Sequence, residues 1–155
     1  MENRSTPVPP QLKFALELRV NIAPTIELGT SASGIRRTVP ITGGGPEVSG
    51  KVLPGGSDWQ FVEPDGLTHL DAHYIIETLD GVLIEVRNQG LRYGPPEALA
   101  GIAAGESVPQ ENYYFRTTPR FYPPAGRCES FRQSIFIGSC QRYSDLVVVG
   151  VWKVV

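Results

Sequence analysis

The sequence has little of what most enzyme signatures are built from. It holds two cysteines, Cys128 and Cys140, and two histidines, His69 and His73. Two cysteines with no second Cys/His pair beside them make no zinc pattern. They are expected to be reduced thiols. There is no G-x-S-x-G elbow, no P-loop and no Rossmann glycine pattern after a strand, so the chain carries no motif of serine-hydrolase or nucleotide chemistry. Charge of one sign is also lacking. A formal net charge of −2 argues against nucleic acid, whose phosphates require a basic face. No apolar run approaches the roughly 20 residues that span a bilayer. The opening residues, MENRSTPVPPQ, have no apolar stretch of the secretory kind. The expectation is a cytoplasmic protein with no membrane segment and no cofactor.

What the chain does have is glycine (17) and proline (14), set between β-branched runs where they read as turns. A length of 155 residues fits one domain, able to bury about two-thirds of its unfolded surface. Residues 1–11 are Pro-rich and read as a flexible tail, with 12–155 as a single domain. From Leu12 to Ile22 apolar and polar residues alternate without a break, which predicts a strand with one face on a core. Arg37–Ile41 reads as a short edge strand, which leaves homodimer pairing open. Gly43-Gly44-Gly45-Pro46 reads as a turn. Leu70–Thr78 and Val82–Asn88 read as a hairpin whose Asp80-Gly81 turn is expected to be type I′. Pro95–Gly105 is the one expected helix, with proline at its start and glycine at its end. Further strands are expected at Asn112–Thr118, Phe131–Gly138 and Asp145–Val155. The fold class is therefore all-β: an antiparallel barrel of roughly 8–10 strands with one short helix.

Several segments together resemble the DUF3237 family, also called UPF0311. They are Arg36–Gly44 (RRTVPITGG), Gly50–Gln60 (GKVLPGGSDWQ), Asp65-Gly66, Leu70–Tyr74 (LDAHY), Asp80–Gly90 (DGVLIEVRNQG) and Tyr113–Phe121 (YYFRTTPRF). The resemblance covers nearly all of the chain after residue 11. It implies a single β-barrel and supplies no agreed catalytic residues. Two places depart from the family pattern. His73 stands where the family usually has an arginine, and Cys128–Arg132 stands where it tends to read Tyr-Ala-Trp-Leu-Asn.

Candidate chemistry rests on a few residues. His73 can take and return a proton near neutral pH and shares a strand face with Asp71 and Glu77. His69 and His73 lie on one strand about 13 Å apart, too far to share a metal, so no metal site is expected. Asp58 beside Trp59 suggests a desolvated carboxyl with a raised pKa; a turn-capping Asp is the plainer alternative. Trp59 is expected to line an apolar space. Tyr114 and Arg116 share a face, and with Arg87 and Arg132 they suggest a donor-rich wall for an oxyanion. The expected function is a cofactor-independent enzyme of isomerase, cyclase or lyase type. It would move protons on a hydrophobic or aromatic small molecule in the lumen, with His73, Asp58 and Tyr114 catalytic. The alternative is a non-catalytic small-molecule binding protein.

Overall fold

Turn chemistry sets the outline of the chain. The computed structural model describes residues 4–47 and 50–155. The strands are β1 (Leu12–Ile22), β2 (Ile26–Ser31), β3 (Gly34–Glu47), β4 (Gly50–Val52) and β5 (Gly56–Val62), then β6 (Thr68–Glu77), β7 (Leu83–Tyr93), β8 (Tyr114–Tyr122), β9 (Ile135–Arg142) and β10 (Leu146–Val154). Two short helices interrupt them, α1 (Pro96–Ala103) and α2 (Glu129–Arg132). Eight strands close a ring in the order β1-β10-β9-β8-β7-β6-β5-β3 and back to β1, all pairs antiparallel. β2 and β4 are extra strands on this ring. No helix among the described residues is long and apolar enough to cross a membrane.

Four local expectations are corrected. The alternation of β1 is broken by a bulge between Phe14 and Leu16. The extra residue reverses the facing of the strand's first turn, as bulges do. Leu16, Leu18, Val20 and Ile22 are buried, whereas Leu12 and Phe14 face outward. There Phe14 meets Trp152 edge-on at 5.5 Å between ring centroids. The supposed edge strand Arg37–Ile41 lies inside β3, paired to β5 throughout and to β2 or β1 on its other side. β3 also runs through Gly43–Gly45, where a turn was expected. At Gly44 (φ +152°) a side-chain carbon would sit 1.8 Å from the Arg19 carbonyl oxygen. Only glycine lets β3 bend against β1 there. The Asp80-Gly81 hairpin forms, but only Gly81 has positive φ (85°). The Gly81 N–H donates to the Thr78 carbonyl and the Thr78 N–H to the Val82 carbonyl. This is a type I turn closed by a left-handed glycine rather than type I′.

The barrel interior divides along its axis. At one end Leu16, Ile76, Ile84, Val86, Phe121, Phe136 and Val151 fill it. Phe131, from α2, packs on Phe121 and Phe136 at 4.8 and 5.7 Å between centroids. An eight-stranded barrel is just wide enough for such side chains to fill it. At the other end the inward positions turn polar. The β7–β8 connection, which carries α1, adds Ala98, Ile102 and Val108 to the core there.

Candidate functional site

Strand parity determines what enters the polar end. On β5 the inward positions are Asp58 and Gln60, because Asp58 pairs with the inward Val39 and Ala72. On β7 the inward run Ile84, Val86 continues to Asn88 and Arg92, both buried. On β6 it is Leu70, Ala72, Tyr74; on β8, Phe115 and Thr117; on β9, Cys140 and Arg142. These side chains line a cavity of about 40 Å³ with apolar walls from Val20, Ile22, Ile41, Val147 and Val149. That volume holds a few water molecules.

Asp58 is the only carboxylate on this lining. The residue is partly exposed, but its carboxyl group is enclosed on the inner side. Its Oδ2 accepts from Gln60 Nε2 at 2.8 Å, and its Oδ1 from the Asp71 N–H at 3.0 Å. Gln60 is held in turn by Arg37 Nε, which donates to its Oε1 at 2.8 Å. Burial pushes the Asp58 pKa above the usual carboxylate range, against the pull of those two hydrogen bonds and of Arg92 and Arg142.

Arg92 is 3 % exposed. Its guanidinium lies over the Phe115 ring at 5.3 Å from the centroid, and its Nε and Nη1 have no partner within the protein. Burial, then repulsion from Arg142 and Arg37, brings its pKa down to about 10. Arg142 and Arg37 are lowered by burial too, while Asp58 pulls both upward. Two more lining atoms lack partners, the Tyr74 hydroxyl and Asn88 Oδ1. Burial raises the Tyr74 phenol and pushes the Cys140 thiol up to about 12. Cys140 and Cys128 are both free thiols.

Of the catalytic and binding candidates named from the sequence, only Asp58 stands in the lumen. The others expected to share it lie on the outer surface. His73 is exposed and bonded through Nε2 to Glu85 Oε2 at 2.6 Å. Arg87 makes a two-pronged bond to Asp71 at 3.0 and 2.9 Å. Trp59 is 55 % and Tyr114 54 % exposed. Arg116 stacks over the Tyr114 ring at 5.7 Å and donates to the Phe115 carbonyl. Arg132 bonds to Glu129 on α2. Each lies on the outward parity of its strand or on the exposed α2. For His73, Tyr114, Arg87 and Arg116 an apolar neighbour takes the narrow interior, whereas beside Trp59 it is Asp58 and Gln60 that turn inward. Arg92, Asn88, Tyr74 and Arg142 escaped notice for the converse reason. They are polar residues in phase with an apolar run, and that phase was their signal.

Comparison with known proteins places the chain among relatives. A family model described as "Protein of unknown function (DUF3237)" matches residues 10–154. A UPF0311 protein of Rhodopseudomonas palustris is 40% identical over 147 residues, spanning 93% of this chain and 96% of its own. The crystal structure of a conserved R. palustris protein of unknown function superposes with a TM-score of 0.90 at 38% identity, covering 97% of this chain and 100% of that one. A hydroalkoxylation enzyme of Penicillium herquei is 35% identical over 85 residues, 53% of this chain and 56% of its own.

Proposed function

The chain belongs to the DUF3237 family, and from that footing we propose that its barrel lumen is the active site of a cofactor-independent enzyme moving protons on a small, largely hydrophobic or aromatic molecule. The observation that carries this reading is Asp58, a lone enclosed carboxyl with a raised pKa beside unpartnered polar groups. A carboxyl shifted toward neutrality can both take and give a proton during one turnover. The Arg37–Gln60–Asp58 chain of hydrogen bonds fixes its orientation, and Phe115 and the valines give the space around it apolar walls.

The relative named for hydroalkoxylation points to one reaction type that such a group serves. In hydroalkoxylation an O–H bond adds across a carbon–carbon double bond. The oxygen gives its proton to a base and forms the new C–O bond, while the neighbouring carbon gains a proton. No oxidant or reductant enters the balance. Asp58 as carboxylate takes the hydroxyl proton, and as acid returns one to carbon.

The test is ring closure of a panel of hydroxyaryl enones, followed by absorbance. The wild type should accelerate at least one member, and Asp58→Asn should lose about a hundredfold or more of that rate, the usual scale of general acid–base catalysis. Equal rates in the two proteins would refute the reading. So would a panel with no accelerated member together with a ¹³C NMR titration placing Asp58 in the ordinary carboxylate range. A second reading, a binding protein without turnover, draws on the fact that both Asp58 oxygens already accept protein donors.

A further inference from the structure

The lumen has a charge imbalance that a proton-transfer site alone does not explain. Arg142 and Arg37 both depress the Arg92 pKa. Arg92 and Arg142 line the cavity, where Asp58 alone opposes them; Arg37, outside that lining, is also held by Glu27. Arg37 is engaged with Gln60, and Arg142 Nε donates to the Tyr143 carbonyl at 2.9 Å. Arg92 is different. It is the most enclosed of the three, it lines the cavity, and two of its nitrogens donate to nothing in the protein. A buried cation with unmade hydrogen bonds is costly, and folds keep one chiefly where a counter-charge completes it. The Tyr74 hydroxyl, on the same lining, is a second unmet donor.

We propose that this lumen binds the carboxylate head group of its ligand, with Arg92 as the principal partner and Tyr74 as a second donor. A carboxylate accepts through two oxygens and matches an arginine in both charge and geometry. A cavity of about 40 Å³ suits a head group of that size. Asn88 Oδ1, the remaining unmet atom, is an acceptor and selects a hydroxyl or enol proton on the same ligand. Arg92 acts here as a binding residue and takes no part in proton transfer. The proposal rests on the reading of the lumen as the ligand site, but not on any reaction occurring there.

The experiment titrates the protein with acetate and benzoate and with their neutral counterparts, acetamide and benzamide. The readout is the arginine Nε–H and Asn88 side-chain NMR signals. At least one carboxylate should shift the Arg92 and Asn88 signals, and its amide should not. Arg92→Met should weaken carboxylate binding at least tenfold, Arg92→Lys should restore part of it, and Arg132→Met, on the exposed α2, should change nothing. Three results would overturn the proposal: amides binding as well as carboxylates, Arg92→Met binding like the wild type, or neither carboxylate binding. Its failure is separable from that of the enzymatic reading. Turnover lost in Asp58→Asn with Arg92-independent carboxylate binding sinks this proposal alone. Arg92-dependent binding with turnover indifferent to Asp58 sinks the other alone.

Discussion

Replacing Arg92 by methionine should make the protein more stable. Arg92 keeps two donor nitrogens unpaired in a buried position. Each such group costs about 1–3 kcal/mol, so removing both releases at most about 2–6 kcal/mol. Against this stands the loss of the stacking over Phe115, 5.3 Å from the ring centroid, worth about 1–2 kcal/mol in a desolvated setting. The attraction to Asp58 is lost as well. The methionine stem keeps most of the side chain's contact with the wall. The expected net gain is about 1–3 kcal/mol, in line with other buried charges replaced by apolar residues of similar volume. For a domain of this length it raises Tm by about 3–10 °C. The assay is urea and thermal unfolding of the wild type, Arg92→Met, Asp58→Asn and the double variant, which also gives the Arg92–Asp58 coupling energy. A native circular-dichroism spectrum with unchanged or reduced stability in Arg92→Met would refute the reasoning. It would show Arg92 to be a structural tie rather than a strained ligand-binding group.

Other expectations follow from the same geometry. Because burial raises the Asp58 pKa, the native state holds that proton more tightly than the unfolded chain. Wild-type stability relative to Asp58→Asn should therefore fall as pH rises from about 4, the unfolded value, through the raised native one; a rise measured by unfolding at successive pH values contradicts it. His73→Ala and Tyr114→Phe, on the outer face, should leave unfolding free energy within about 0.5 kcal/mol and leave carboxylate binding unchanged in the same NMR titration. Cys140, buried with its thiol pushed up to about 12, should resist iodoacetamide in the native state while the more exposed Cys128 is alkylated, as peptide mass spectrometry will show. Gly44→Ala should fail to fold or lose more than about 3 kcal/mol, since the added carbon meets the Arg19 carbonyl; near-wild-type denaturant unfolding would contradict the stated clash.

Much of the architecture was legible because a strand's period is local. The hairpin at Asp80-Gly81, α1 behind Pro95 and most strand positions follow from neighbouring residues. The bulge in β1 was not legible, since it lies in the register between Phe14–Trp152 and Leu16–Val151 on the neighbouring strand β10, far away in the sequence. The site was half legible. Asp58 announced itself by lying beside Trp59 after a Gly-Gly turn, although the tryptophan proved to face outward. On β6 the facing is the reverse of what the sequence suggests: Asp71, His73 and Glu77 lie on the outer parity, whereas Ala72, Tyr74 and Ile76 point to the lumen or the packed core. Once parity is anchored on Ile84 and Val86, Asn88 and Arg92 follow on β7 by counting in twos. What parity cannot supply is that the barrel carries Arg92 to the same space as Asp58, because that depends on closure and stagger.

The division of the barrel into a filled end and a polar end has a consequence for how such a protein changes over generations. On β7 alone, Ile84 and Arg92 are eight residues apart, about 27 Å along the strand. Substitutions at that separation, with no shared partner, add rather than interact. Side chains that recognise a ligand can therefore vary in one half while the other retains the stability that tolerates the variation. One scaffold can in this way acquire new ligands without being redesigned.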